Sequence, residues 1–325
     1  MSPSLRIHLF GQPRFVFEGS PFRYSAPPKA TSLVAYLLLH RDGPLSREKL
    51  AYTLWEDDTE EDARANLRRH LHHMQRALPA APADTPWVIA DTETVQWNPD
   101  ADAWLDVAEF ERLAKASDGR AEAIELYSGD LVESLYDEWL FTERDRLRNV
   151  YLASLGDLLI ECRGQRDFNR AIAYAQRILT NDPWREDTLR QLMAVRYQSG
   201  DRAGALATYE AFDRRLRDEM NVEPMPETAA LKDAILRNAP LPDASTAPPA
   251  DAASGQKTSS DMLLPFVGRA DEMEQLRMLW SRAARGRGGV VLFGGEAGIG
   301  KTRLATEFAL VAGAQGARVM SGTTT

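Results

Sequence analysis

Residues 295–302 read Gly295-Glu-Ala-Gly298-Ile-Gly300-Lys301-Thr302, the spacing G-x-x-x-x-G-K-T. Its chemistry is phosphate capture. Glycines without a Cβ let successive backbone N–H groups close around phosphate oxygens. The Lys301 ammonium reaches the β- and γ-phosphates, and the Thr302 hydroxyl is a ligand for Mg²⁺. Gly295, Gly298, Gly300, Lys301 and Thr302 form the candidate nucleotide-binding set, with ATP and Mg²⁺ as the implied cofactor. Such a loop works between a strand and a helix. Val290-Val-Leu-Phe293 reads as a buried strand before it, and 303–311 reads as a helix after it.

A different chemistry is spelled by 61–78, EDARANLRRHLHHMQRAL. Ala63, Leu67, Leu71, Met74 and Leu78 recur at spacings of four, four, three and four, which predicts one buried helical stripe. The remaining faces carry Arg64, Asn66, Arg68, Arg69, His72, His73 and Arg76, side chains that reach both base edges and phosphates. Glu61 and Asp62 suit the positive end of the helix dipole, and Pro79 closes the other end. A basic helical face is in most proteins a solvated surface. The context decides whether this one enters a DNA major groove.

The elements around these two stretches fit a soluble chain of two or three domains over 325 residues, with 44% hydrophobic and 27% charged residues. Cys162 stands alone, which excludes an intramolecular disulfide framework. No apolar run approaches membrane-spanning length, and Arg6, His8 and Arg14 interrupt any signal-peptide core, so the expected location is the bacterial cytoplasm, at the nucleoid. The net charge of −9 argues against nucleic-acid binding throughout the chain. A local basic face is compatible with it. Within 61–78 four arginines oppose Glu61 and Asp62, while acids gather in 56–62. So few phosphate contacts imply modest, salt-sensitive affinity and a need for dimerisation or a partner.

Residues 5–10 and 15–17 read as strands, 29–40 as a helix with Leu33, Leu37 and Leu38 inward, and 45–55 as a second helix with Ser46 as its cap. The helix 61–78 follows, then a hairpin formed by 87–90 and 95–97 around Asp91-Thr-Glu-Thr94. Strands, three helices and a hairpin in this order predict a winged helix-turn-helix in 1–100, with the third helix as reader. The run through Lys29, Leu37-Leu38-Leu39, Leu45-Ser46-Arg47-Glu48-Lys49-Leu50, Leu54-Trp55, Ala63-Arg64, Asn66-Leu67-Arg68, Leu71, Arg76 and Leu78 resembles the OmpR-type winged helix of SARP-type bacterial activators. The resemblance implies promoter DNA as partner and adds Arg47 to the DNA-contact set. It also implies that the loop before the reader helix faces RNA polymerase, through Glu56, Asp57, Asp58 and Glu60. The hairpin tip is acidic where many wings are basic, so the reader helix must supply most of the groove contact.

From Ala101 the pattern turns wholly helical through 239. Gln165-Arg-Asp167-Phe-Asn-Arg-Ala171-Ile172 aligns with Ser199-Gly-Asp201-Arg-Ala-Gly-Ala205-Leu206 at an offset of 34 residues, the period of tetratricopeptide (TPR-like) helix pairs. The segment 101–239 also resembles the bacterial transcriptional activator domain. The matching residues include Leu126-Tyr127, Gly129-Asp130-Leu131, Glu138-Trp139-Leu140, Asp182-Pro183-Trp-Arg185-Glu186-Asp187 and Val222-Glu223-Pro224. Trp139, Trp184, Tyr209 and Cys162 are expected to pack, and no acid, base and nucleophile set stands out as catalytic.

Residues 240–262 are rich in Pro, Ala, Ser and Asp and read as a flexible linker. Phe266-Val-Gly-Arg269 with the phosphate loop resembles the start of a STAND/AAA-like ATPase module over 263–325. A Walker-B acid and most of a parallel sheet do not follow, so an incomplete α/β segment without ATP turnover is expected of the chain as given.

The predicted class is a mainly α, multidomain chain. The leading expectation is a DNA-binding transcriptional activator, a homodimer on DNA, with self-association or signal input through the helical repeats and nucleotide gating. A P-loop ATPase switch with an N-terminal adaptor, or a TPR-like interaction scaffold, are the alternatives.

Overall fold

The computed structural model describes residues 4–81 and 84–241, together with Leu276, Leu279, Trp280 and Phe308. The chain divides into two compact units, Met1–Ala252 and Ala253–Thr325. In the second, Leu276 is buried. Residues 295–302, the segment 290–293 read as a strand and linker residues 242–262 lie outside the described residues.

The first unit is mainly helical, with two small sheets and ten helices among the described residues. Strand β1 (Leu5–His8) pairs antiparallel with β2 (Arg14–Phe17), and β2 pairs with β3 (Ser20–Phe22). Glu18 and Gly19 make the tight turn between β2 and β3. Both have positive φ, at 48° and 77°, as a two-residue hairpin that follows the strand twist requires.

Three helices follow. Helix α1 (Pro28–Leu39) starts on a proline that needs no intrahelical N–H partner and buries Leu33, Leu37 and Leu38. A short strand, β4 (Leu45–Ser46), leads into α2 (Arg47–Leu54), where the Ser46 hydroxyl accepts the Lys49 N–H at 3.4 Å. Helix α3 (Glu60–Ala77) is capped by Thr59, whose hydroxyl accepts the Asp62 N–H at 3.3 Å. Then β5 (Val88–Ala90) and β6 (Thr94–Trp97) form a hairpin, and β4 adds to β6 to give a sheet in the order β4-β6-β5.

The pattern from Ala101 onward is not wholly helical. Strand β7 (Ala103–Leu105) pairs parallel with β1, in the register Leu5↔Ala103, and completes a sheet in the order β3-β2-β1-β7. The N-terminal sheet therefore takes a strand from beyond residue 100. Three residues are too few to show an alternating pattern, and the partner lies about a hundred positions away, so no local signal marks β7. The same limit hid β3 and β4.

Helices α4 (Asp106–Lys115), α5 (Arg120–Leu126), α6 (Glu138–Gly164), α7 (Phe168–Asn181), α8 (Glu186–Gln198), α9 (Arg202–Met220) and α10 (Pro226–Leu236) then pack in succession. The α6–α7 and α8–α9 turns repeat one another at the offset seen in the sequence. Asp167 and Asp201 each cap the next helix, accepting the N–H of Arg170 at 3.2 Å and of Gly204 at 2.8 Å. Each also donates its own N–H back to a carbonyl, Cys162 and Arg196 respectively, both at 2.8 Å. Ala171 and Ala205 are fully buried, small enough for the helices to close on each other. Cys162 is buried in α6, as expected.

One apolar core runs from Leu5 to Val195 and joins the N-terminal sheet and helices to the helical array; a second, between Leu189 and Ile235, holds α8, α9 and α10 together. No helix among the described residues is long and apolar enough to cross a membrane.

Candidate nucleic-acid interface

Helix α3 is fixed from below and bare above. Its stripe of Ala63, Leu67, Leu71 and Met74 is buried against the core, with Leu78 beyond its end. At roughly 25 cal/mol per Å², an apolar stripe of this size anchors the helix by several kcal/mol, so its outer face is held rigidly. Arg68, Arg69, His72, His73 and Arg76 are all exposed on that outer side. Their rise along the helix covers about two turns, the length that fits a major groove.

Arg69 and the other expected contact residues have hydrogen-bond or ion-pair partners within the chain. Arg64 pairs with Glu60 at 2.5 Å across one helical turn. Asn66 donates from Nδ2 to Asp58 Oδ2 at 2.7 Å and accepts from Arg69 Nη2 through Oδ1. Arg47, at the start of α2, donates from Nε to the Asp91 carbonyl at 2.8 Å and so ties the hairpin tip to the helix pair. Exposed pairs of this kind are weak, of the order of 0–1 kcal/mol, and exchange readily for a phosphate. His70, on the flank of α3, packs its ring against Trp55 and bonds the Asn66 carbonyl at 2.8 Å. Burial holds its pKa below the ordinary imidazole value.

The hairpin tip is built by one carboxylate. Asp91 accepts the N–H groups of Thr94 at 2.6 Å and Glu93 at 2.7 Å, and the Thr94 hydroxyl at 2.9 Å. The Thr94 and Glu93 bonds hold its pKa below the usual carboxylate range. The tip is thus negative and rigid, with Arg47 as the nearby cation.

Glu56, Asp57 and Asp58 are exposed in the turn between α2 and α3, with Glu60 in the first turn of α3. Asp58 is tied to Asn66 and Glu60 to Arg64, so this loop and the basic face share two direct contacts. Tyr52, on α2 beside the loop, is 74% exposed. Lys29 and the start of α6, at Asp137 and Glu138, also border this loop. Reading the sequence missed these two acids, because nothing local relates them to a loop eighty positions upstream. No group of three or more metal-ligating side chains occurs among the described residues. Gly295, Gly298, Gly300, Lys301 and Thr302 lie outside the described residues.

Comparison with known proteins adds independent findings. Residues 104–236 match the bacterial transcriptional activator domain, and residues 265–325 match an AAA ATPase domain. The regulatory protein AfsR of Streptomyces coelicolor is 26% identical over 329 residues, covering 95% of this chain and 32% of that protein. The transcriptional regulatory protein EmbR of Mycobacterium tuberculosis is 26% identical over 252 residues, covering 73% of this chain and 64% of EmbR. The chain thus spans about a third of one relative and less than two thirds of the other. A solved structure, Mycobacterium tuberculosis EmbR in complex with a low-affinity phosphopeptide, has the same fold over 75% of this chain and 68% of its own, with a TM-score of 0.58 at 21% identity. The chain carries a match to the bacterial transcriptional activator domain followed by a match to an AAA ATPase domain, and over most of its length it is similar to the regulatory protein AfsR and the transcriptional regulatory protein EmbR.

Proposed function

We propose that this chain is a DNA-binding transcriptional activator whose helix α3 is the reader of a winged helix. The observation that carries the reading is the two-sided build of α3: a fully anchored apolar stripe beneath an exposed face of Arg68, Arg69, His72, His73 and Arg76. Arg64, Asn66 and Arg47 join the interface by exchanging their internal partners for phosphate or base edges. With an acidic hairpin tip, direct contact by the wing contributes little.

The partners are double-stranded promoter DNA and RNA polymerase, the latter met by Glu56, Asp57, Asp58 and Glu60 through complementary charge. The helical array from α4 to α10 is read as TPR-like, on the strength of the repeated Asp167 and Asp201 turns, and serves self-association as a homodimer on DNA or signal input. The glycine-rich loop at 295–302 would add ATP and Mg²⁺ as a gate. The match to an AAA ATPase domain over residues 265–325 supports a nucleotide site in that part of the chain.

Mapping of protected promoter DNA tests the reading. The chain is expected to protect a discrete duplex segment, and Arg68→Ala with Arg76→Ala to lose that protection. Unchanged protection by the double variant overturns α3 as the reader.

A further inference from the structure

The loop between α2 and α3 is held from outside its own helices. Lys29, in the first turn of α1, donates from Nζ to the Leu54 carbonyl at 2.7 Å and to Asp137 Oδ1 at 2.5 Å. Leu54 ends α2, so its carbonyl is one of the groups a helix leaves without an internal partner, at the negative end of the helix dipole. Asp137 is the cap position of α6, and its side chain is 9% exposed against 41% for Lys29, so the pair is half-shielded from water. A single ammonium therefore ties the end of α2 to the start of α6 across 108 residues of sequence.

The far side of this tie is rigid. Arg144, buried in α6, donates to the carbonyls of Leu131 at 2.7 Å, Val132 at 2.6 Å and Leu135 at 2.7 Å. The same segment pairs with the N-terminal strand region through the Phe10–Leu131 bridge and the Val132 N–H to the Leu9 carbonyl at 2.7 Å. On the near side, Glu56 and Glu138 line one cavity, close enough for their like charges to act on each other. Two carboxylates so placed repel unless they share a proton. A cavity of about 660 Å³ lies here, lined by Lys29, Glu56, Asp57, Tyr136, Asp137 and Glu138. The loop is thus drawn to α6 by one cation and pushed from it by like charge.

We propose that Lys29 is the positioning residue of the acidic loop, locking the presentation of Glu56, Asp57 and Asp58 to the N-terminus of α6 while leaving the DNA-reading face of α3 unaffected. The proposal rests on the reading of that loop as the polymerase contact. It gives the helical array a physical route to the activating surface: any rearrangement that shifts the start of α6 moves Asp137, and Lys29 carries the shift to Leu54. The loop meets the basic face through the exposed Asp58–Asn66 and Glu60–Arg64 contacts, which are weak, while the buried stripe of α3 holds Arg68, His72, His73 and Arg76 in place.

The test uses the full chain with Lys29→Met, Lys29→Arg and Asp137→Asn, and a separate Asp57→Ala/Asp58→Ala variant. Three quantities are read: hydrogen exchange at the Trp55 and Asp58 amides, duplex affinity, and transcription with RNA polymerase. Lys29→Met and Asp137→Asn are expected to speed exchange at those amides by about tenfold and to lower transcription several-fold, with duplex affinity unchanged within about twofold. Lys29→Arg, which keeps the cation, restores slow exchange and transcription. Unchanged exchange in Lys29→Met overturns the tie, and so does a loss of duplex affinity as large as the loss of transcription. If Lys29→Met speeds exchange but Asp57→Ala/Asp58→Ala leaves transcription intact, the polymerase contact fails and with it the functional half of the proposal, while the mechanical tie stands.

Discussion

The Asp106 carboxylate accepts the Leu9 N–H at 2.9 Å through each of its oxygens. It also accepts the N–H groups of Phe10 at 3.1 Å and Val107 at 2.8 Å, and it is 1% exposed. Asp106 begins α4 while Leu9 and Phe10 end the first strand region, so one side chain joins the N-terminal sheet to the helical array.

Burial pushes the Asp106 pKa up to about 6, against the opposing pull of those N–H bonds. The folded state then holds a proton that the unfolded chain, near 3.8, has released. Stability from this group is complete below the unfolded value and is lost as pH rises through about 6, a change of up to roughly 3 kcal/mol. The advantage of the wild type over Asp106→Asn in urea unfolding should therefore shrink between about pH 4.5 and about pH 7.5. A constant difference over that range contradicts the assignment.

Arg144 is a buried cation satisfied by three carbonyls and no carboxylate among its hydrogen-bond partners. Arg144→Met keeps much of the aliphatic volume and removes the guanidinium donors from all three carbonyls, of which Val132 keeps the Leu135 N–H at 3.0 Å. We expect a loss of roughly 2–4 kcal/mol in unfolding free energy, by the cost of unmade buried hydrogen bonds. A loss under about 1 kcal/mol would show that water replaces the guanidinium at this site.

The paired caps predict paired effects. Asp167→Ala and Asp201→Ala each remove the side chain that accepts the N–H of Arg170 or Gly204. Each should cost about 1 kcal/mol, and the double variant about the sum. Strong non-additivity between them would mean that the two helix pairs do not act as separate units.

How far the sequence revealed this arrangement depends on the range of each contact. The α3 stripe was legible because its five apolar residues repeat within eighteen positions, and the Asp167 and Asp201 turns because a repeat compares a chain with itself. Ser46 as cap of α2 was legible for the same local reason. Strand β7 and the Lys29–Asp137 pair were not, since each joins residues about a hundred positions apart and neither leaves a period. The candidate interface was read as a set of residue types. Only the fold separates Arg68, His72, His73 and Arg76, which face outward, from Arg64, Asn66 and Arg69, which are tied to Glu60, Asp58 and Asn66 respectively.

The measurement that bears most directly on α3 as the reader is duplex affinity as a function of salt, for the wild type and for Arg68→Ala/Arg76→Ala. Each phosphate contact contributes about 0.9 to the slope of log affinity against log salt. If both arginines meet phosphate, the double variant binds at least about tenfold more weakly at moderate salt and its slope falls by nearly two. Equal affinity and an equal slope in the two proteins would contradict the account.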